Sequence, residues 1–188
     1  MRIIVGVSGA SGVGMSLTLL RALKFADTET HLLMTDGGKL TWNLENKSPL
    51  TELYALADYI YSNSDLAAAI ASGSFATDGM IILPCSMKAL AGIVSGYAEN
   101  LLLRAADVCL KECRKLVIVP REMPLSRIHL RNMAAAAELG CVIIPPMLTF
   151  YNQPQTIQDQ IDHLVGKILL QFGITTDNFR PWQPPEII

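Results

Sequence analysis

The sequence predicts a single α/β domain built on a doubly wound parallel sheet. Short runs of β-branched and aliphatic residues alternate with segments long enough for helices, and several runs end in proline or a small residue. Uninterrupted apolar strands separated by helices are typical of a sheet that is buried on both faces. The chain has 188 residues, which suffices for one domain with its own core.

Five runs are predicted strands, at residues 3–5, 31–34, 80–83, 116–119 and 142–144. The first run precedes a glycine-rich loop, and the last three lead directly into proline. Ligands of such sheets bind beyond the carboxyl ends of the strands. The predicted functional segments are therefore the ones that follow the runs, residues 8–14, 35–38, 84–88, 120–122 and 145–151.

The domain is predicted to span residues 1–174. The tail, residues 175–188, holds three prolines around Trp182 and cannot form a long helix. With 51% hydrophobic and only 17% charged residues, the chain is apolar for a soluble monomer. We therefore expect a homo-oligomer in which the tail packs on a neighbouring subunit.

Composition excludes several function classes. The longest uncharged run, residues 3–20, is broken by glycines and serines, which disfavours a membrane helix and a signal peptide. We therefore predict a cytoplasmic protein with no membrane segment. A net charge of −2 without an extended basic cluster argues against nucleic-acid binding. The four cysteines form no C-x-x-C pair and the three histidines lie far apart, so no metal site is predicted.

The loop from Gly9 to Gly14 is the first candidate site. It follows the first predicted strand and opens a helix, so its N–H groups can hold a phosphate. An ATP-binding P-loop is disfavoured because Met15 stands where that motif has lysine. A dinucleotide site stays open, with Asp36 as the ribose-binding acid of an NAD(P)-dependent reductase. Against that alternative, no tyrosine has lysine four residues on, as many such reductases require.

Eight short segments occur in a characteristic order over nearly the whole chain. They are GASG at 9–12, ASGSF at 71–75, PCSMK at 84–88, RAAD at 104–107, LKE at 110–112, PREMPL at 120–125, HL at 129–130 and FY at 150–151. Together they resemble the flavin prenyltransferase family, the UbiX-like proteins that are also named as a component of aromatic acid decarboxylases.

The resemblance implies a Rossmann-like domain of the flavoprotein type. It implies an enzyme that joins the dimethylallyl group of dimethylallyl monophosphate to N5 and C6 of reduced FMN. The product, prenylated FMN, would serve a UbiD-like aromatic acid decarboxylase. The family needs no metal, and its members form homododecamers with the flavin site at subunit boundaries.

The resemblance also assigns site residues, position by position. FMN would be bound by Gly9, Ala10, Ser11, Thr35, Ser86, Met87, Lys88, Ala89 and Arg121. The substrate phosphate would be bound by Arg104, Lys111, Tyr151 and Lys167. Glu122 would be the catalytic acid/base for the proton that leaves flavin C6, and Glu45 would position substrate or handle the phosphate proton.

Three positions depart from the family pattern. Lys167 stands where arginine is usual, and a lysine cannot bind phosphate in a bidentate way. Ala89 replaces a threonine, and Asp36 would weaken FMN binding unless it points away from the flavin phosphate. The departures at Lys167 and Ala89 leave open a second function, a non-catalytic FMN carrier or accessory subunit of a decarboxylase.

Simpler roles also fit some of these residues. Ser86 is placed to cap a helix, which is compatible with flavin binding. Arg104 and Lys111 are seven residues apart and would project from one helix face, where Asp107 could pair with Lys111. Glu122 could form an ion pair with Arg121.

Overall fold

A computed structural model describes residues 1–184 of the chain. Its six strands are β1 (Arg2–Val7), β2 (Glu29–Met34), β3 (Tyr59–Ser62), β4 (Gly79–Cys85), β5 (Lys115–Pro120) and β6 (Val142–Ile143). Its seven α-helices are α1 (Met15–Phe25), α2 (Asp36–Glu45), α3 (Leu50–Tyr54), α4 (Met87–Ser95), α5 (Leu101–Lys111), α6 (Arg127–Glu138) and α7 (Ile157–Leu170).

All six strands are parallel and lie in the order β3-β2-β1-β4-β5-β6. The chain moves outward from β1 in one direction and then, from β4 onward, in the other. Every residue of β4 is buried, as are nearly all residues of β1 and β5. The prediction of a doubly wound parallel sheet is therefore confirmed, as are the five predicted strands.

The sheet edge strand β3 is absent from the sequence prediction. It pairs only with β2, and Tyr59 and Ile60 are about half exposed. The segment Tyr-Ile-Tyr-Ser is too short and too exposed to give the continuous apolar run that marks the central strands. For the same reason, the loop that follows β3 is absent from the predicted functional segments.

Helices cover both faces of the sheet, which gives the molecule two apolar cores. Helices α1, α2, α3 and α7 pack on one face, with Leu19, Leu20 and Ile168 fully buried there. Helices α4, α5 and α6 pack on the other face, where Leu90 and Leu101 are fully buried. No helix within residues 1–184 combines the length and the apolar character needed to cross a membrane.

The described part of the tail, up to residue 184, contains no helix and contacts its own chain. Phe179 stacks on His163 of α7 with ring centroids 5.0 Å apart, and Trp182 contacts Tyr151 edge to face. The proposed contact of the tail with a neighbouring subunit stays a prediction. Residues 185–188, which belong to that prediction, lie outside the described residues.

Candidate functional site

A cleft of about 1250 Å³ opens at the carboxyl-terminal edge of the sheet. Its walls include segments that directly follow four strands: Ser8 and Gly9 after β1, Thr35–Gly37 after β2, Ser62–Ser64 after β3, and Ser86, Lys88 and Ala89 after β4. The cleft lies where the strand order reverses, between β1 and β4. Doubly wound sheets bind ligands at this switch point, and the volume is ample for a nucleotide-sized molecule.

The buried hydroxyl of Ser8 joins the two loops at the switch point. Ser8 Oγ donates to the carbonyl of Pro84 at 2.9 Å and accepts from the N–H of Ser86 at 2.7 Å. Ser8 is 1% exposed, so its hydroxyl is shielded from water, and Ser86 is partly buried. They fix the end of β1 against the turn that begins α4.

The first glycine of the loop after β1 touches the backbone of the segment that follows β2, at Gly37 in the first turn of α2. A Cβ added at Gly9 would lie 2.9 to 3.1 Å from backbone atoms of Gly37. The contacted atoms are backbone atoms, so they cannot turn away from a Cβ as a flexible side chain could. Because Gly9 has no side chain, the two segments can meet at the floor of the cleft.

Two helices begin at the cleft, and their first N–H groups have no partner inside the helix. Thr35 caps α2 by accepting from Gly38 N–H at 3.0 Å, and Ser86 caps α4 by accepting from Ala89 N–H at 3.2 Å. The predicted capping role of Ser86 is confirmed. The helix dipoles and the remaining free amides favour an anion at this edge.

Asp36 lines the cleft at the start of α2, and its side chain is 98% exposed. Its carboxylate lies 3.4 Å from the ammonium of Lys39, one turn further along the same helix. The carboxylate is therefore solvated, and the neighbouring ammonium offsets part of its charge.

Glu45 contacts the glycine loop from the end of α2. Its carboxylate accepts from the N–H of Gly12 at 2.8 Å. Ala10 and Ser11 belong to the same loop, and both are partly exposed. One loop amide thus holds a carboxylate of the protein itself, and neither Glu45 nor residues 10–12 line the cleft.

Arg121 and Glu122 follow β5 at the same edge of the sheet, and both are exposed. The Arg121 N–H donates to the Cys85 carbonyl at 3.1 Å, and the Glu122 carboxylate accepts from Met123 N–H at 2.9 Å. Within residues 1–184 no ion pair joins Arg121 to Glu122. Neither residue lines the cleft of its own chain, so both side chains are free to face a ligand or another subunit.

Arg104 and Lys111 both lie on α5, as predicted, about 10 Å apart along its axis by helical rise. Arg104 donates to the carbonyl of Ala71 at 3.0 Å and pairs with Asp107 at 2.7 Å. Lys111 pairs with Glu112. The expected pairing of Asp107 with Lys111 is therefore wrong, because Arg104, one turn earlier, holds the Asp107 carboxylate.

Tyr151 and Lys167 lie on the opposite face of the sheet from Arg104 and Lys111. Tyr151 contacts His163 of α7, and Lys167 is exposed on the same helix. Helix α5 belongs to one apolar core and α7 to the other, with the sheet between them. The four predicted phosphate-binding residues therefore form two pairs that cannot meet within one chain.

The structure adds cleft residues that sequence reasoning missed. Asn63, after the unpredicted β3, accepts from Leu102 N–H at 3.0 Å with its side chain and from Leu101 N–H at 2.8 Å with its carbonyl. Tyr97 and Arg131 form part of the far wall. No local pattern marks these residues, because they come from three distant segments of the chain that only the tertiary packing brings together.

Residues 1–184 contain no group of three or more histidine, cysteine or acidic side chains that could hold a metal ion. Cys85, Cys109 and Cys141 are buried and Cys113 is exposed, all as free thiols. Burial raises the pKa of Cys85 and Cys109 to about 12. These two thiols stay protonated at neutral pH and pack as small apolar residues.

Comparison with known proteins identifies the family. The Flavoprotein family model matches residues 1–169. A probable UbiX-like flavin prenyltransferase from Sedimentibacter hydroxybenzoicus is 59% identical over 184 residues, which is 97% of each chain. Flavin prenyltransferase UbiX from Escherichia coli (strain K12) is 51% identical, over 97% of this chain and 98% of that protein.

The chain belongs to the flavin prenyltransferase family. Solved structures agree with this membership. A dodecameric FMN-dependent UbiX-like decarboxylase from Escherichia coli O157:H7 is 51% identical with a TM-score of 0.95, over 98% of this chain and all of that one. AnUbiX (PadA1), solved with FMN and dimethylallyl pyrophosphate, is 45% identical with a TM-score of 0.96, over 98% of both chains. These similarities favour a flavin prenyltransferase over an NAD(P)-dependent reductase.

Proposed function

We propose that the protein is a flavin prenyltransferase that joins the dimethylallyl group of dimethylallyl monophosphate to N5 and C6 of reduced FMN. The observation that carries the proposal is the cleft at the β1/β4 switch point. It joins three predicted flavin-binding segments, those after β1, β2 and β4, in a chain whose fold matches that of a flavin prenyltransferase solved with FMN. The reaction requires no metal.

The residues of the cleft fit FMN. Gly9 leaves space where the loops after β1 and β2 meet, and Thr35 and Ser86 direct free helix amides toward the same opening. Lys88 and Ala89 also line the cleft, whereas Ala10, Ser11 and Met87 lie beside it in the same segments and Arg121 follows β5 outside it. Bound and reduced, FMN supplies the nucleophilic N5 and C6 positions. The protein's task is to hold the flavin edge against the prenyl group and to exclude water.

Binding of the phosphate requires more than one subunit. A phosphate monoester carries close to two negative charges and needs cations and hydrogen-bond donors as the carbon–oxygen bond breaks. Arg104 and Lys111 of one chain can join Tyr151 and Lys167 only if the latter come from another chain. Two observations support a homododecamer with the site between subunits. The two pairs lie on opposite faces of the sheet, and a relative of known structure is dodecameric.

Two carboxylates handle the protons of the reaction. Glu122 takes the proton that leaves flavin C6, and its exposed position beyond β5 supports a role toward a neighbouring subunit's flavin. Glu45, held by Gly12 N–H in the loop after β1, positions substrate or delivers a proton to the departing phosphate.

The experiment is anaerobic prenylation followed by mass spectrometry of the released flavin. Protein loaded with FMN, dithionite and dimethylallyl monophosphate should yield a flavin about 68 mass units heavier, the C5H8 increment. The diphosphate is the matched substrate control. Glu122→Gln should bind FMN with unchanged affinity and lose most of the product. An unchanged flavin mass with the wild-type protein would establish the alternative, a non-catalytic FMN carrier.

Lys167 offers a second test of the phosphate site. Lys167→Arg restores the bidentate donor usual in the family, so we expect a KM for dimethylallyl monophosphate that is several-fold lower. The FMN affinity is the control, and it should stay unchanged. An unchanged or higher KM would remove Lys167 from the phosphate site.

The recipient of the product is proposed to be a UbiD-like aromatic acid decarboxylase. Apo-decarboxylase should gain activity when mixed with the reacted protein, and not when mixed with the Glu122→Gln variant or with FMN alone. Activation by the unreacted FMN-loaded protein would instead support a carrier function. A cytoplasmic location stays a prediction.

A further inference from the structure

His163 is a buried polar residue on α7 whose imidazole contacts Tyr151, a predicted phosphate ligand. It is 3% exposed, and its Nε2 lies 2.9 Å from the hydroxyl oxygen of Tyr151. The two rings meet edge to face with centroids 5.4 Å apart. The chemistry proposed above uses Tyr151 and assigns nothing to His163.

The surroundings of His163 hold its ring in one orientation. Phe179 of the tail stacks on it with centroids 5.0 Å apart and an angle of 27° between the planes. Phe179 reaches this position because Gly166 has no side chain; a Cβ there would lie 2.5 Å from the phenyl ring. The ammonium of Lys167 lies 5.9 Å from the centroid of the same phenyl ring. One aromatic ring thus supports both His163 and Lys167.

The surroundings of Nδ1, the second ring nitrogen of His163, indicate the protonation state of the imidazole. Nδ1 is buried, and no hydrogen-bond partner for it exists within residues 1–184. A charged ring would bury an N–H without an acceptor, and burial together with the nearby Lys167 charge lowers the pKa of His163. The imidazole is therefore neutral at neutral pH.

Of the two neutral tautomers, one leaves an orphaned N–H at Nδ1 and the other leaves only an unpaired acceptor. Orphaned buried N–H groups are the rarer case in proteins, which favours the hydrogen at Nε2. In that tautomer Nε2–H donates to the oxygen of Tyr151. The phenol hydrogen is then directed away from His163 and is free for another acceptor.

We infer that His163 is a positioning residue that orients the Tyr151 hydroxyl to donate its hydrogen to the phosphate of the prenyl substrate. The inference rests on the proposed function, because Tyr151 is a phosphate ligand only there. Without the Nε2–H donor, the phenol O–H would rotate among several orientations, and only some of them point at the phosphate. The fixed phenol loses no such freedom when the phosphate binds, so it binds the phosphate more tightly.

The test compares two substitutions at one position. His163→Phe keeps a flat ring against Phe179 and removes the donor, whereas His163→Gln keeps an N–H near the place of Nε2. Binding of dimethylallyl monophosphate is measured by calorimetry on the oxidised FMN complex, where no transfer occurs. KM and kcat are measured separately under reducing conditions.

We expect His163→Phe to weaken binding and raise KM about tenfold, with kcat changed less than about twofold, because the unfixed phenol makes a weaker hydrogen bond to the charged phosphate. His163→Gln should recover most of the binding, and both variants should bind FMN as the wild type does. In a Tyr151→Phe background, His163→Phe should cause no further loss. If His163→Phe fails to fold, His163→Met serves as the variant without a donor.

Wild-type affinity in His163→Phe would overturn the inference, as would a full tenfold loss that persists in the Tyr151→Phe background. A wild-type protein that binds the substrate without transferring the prenyl group would refute the proposed function and leave the His163 comparison valid. Failure of the wild-type protein to bind the substrate at all would overturn both.

Discussion

The substitution Gly9→Ala tests the geometry of the flavin cleft directly. The added Cβ would lie 2.9 Å from the Gly37 carbonyl carbon, 3.0 Å from its Cα and 3.1 Å from its oxygen, whereas ordinary contact begins at 3.4 Å. The loops after β1 and β2 must therefore separate by about half an ångström at the point where both face the cleft. Overpacking of this kind costs about 1–3 kcal/mol.

The cost should appear in FMN binding, because the two loops separate where the flavin is proposed to bind. Taking about 1.4 kcal/mol per factor of ten, we expect FMN affinity to fall by about 5- to 150-fold. The assay is quenching of flavin fluorescence on titration of apoprotein. Thermal unfolding in the absence of FMN reports how much of the cost falls on the fold itself.

Gly14→Ala is the matched control in the same loop. The three atoms nearest its added Cβ all belong to the side-chain amide of Asn46, with Oδ1 at 2.7 Å, and that amide can rotate away. Gly14 already has helical backbone angles, which alanine adopts readily. Gly14→Ala should therefore bind FMN nearly as the wild type does. Wild-type FMN affinity in Gly9→Ala, or an equal loss in both variants, would refute the account of the cleft floor.

Three further predictions concern stability and reactivity. Ser8→Ala should lower the free energy of unfolding by about 1–3 kcal/mol, because it removes the partners of the Pro84 carbonyl and of the partly buried Ser86 N–H. An unchanged urea midpoint would contradict this. Native protein at pH 8 should react with a thiol reagent at Cys113 alone, because burial raises the pKa of the other three thiols; a second fast thiol would be inconsistent with their burial. Two hydrogen bonds to Glu29, of which the one from Arg2 has the larger effect and the one from His31 the smaller, lower the pKa of Glu29 from 4.5 to about 2. This folded-state pKa lies below the unfolded value, so the stabilisation is complete above pH 4.5 and is lost as the pH falls toward 2. The difference in urea midpoint between the wild type and Glu29→Gln should therefore shrink over that range, and a constant difference would contradict it.

The central strands and the cleft loops could be predicted from the sequence because their signals are local. A strand buried on both faces is a continuous apolar run, and the segments after β1, β2 and β4 are marked by glycine, threonine or serine. The cap of α4 is equally local, since Ser86 and Ala89 are three residues apart. The short edge strand β3 carries no such run, and Asn63 was missed with it.

The positions of the charged residues depended on long-range packing. Spacing placed Arg104 and Lys111 on one helix, but it could not show that Tyr151 and Lys167 lie across the sheet from them. That separation arises because α7, which follows the last strand, returns to pack beside α1, whereas α5 packs beside α4 on the other face. A site that uses all four residues must therefore lie between chains.

By itself, the sequence determined the parallel α/β fold, the edge at which ligands bind and, through its ordered motifs, the flavin prenyltransferase family. These properties depend on patterns a few residues long, which survive without knowledge of the folded chain. Only the tertiary structure decided that Ser8 joins loops 78 residues apart, that Glu45 contacts Gly12, and that His163 contacts Tyr151. Such contacts depend on how helices and loops from distant parts of the chain pack on a common sheet, and no local pattern encodes that packing.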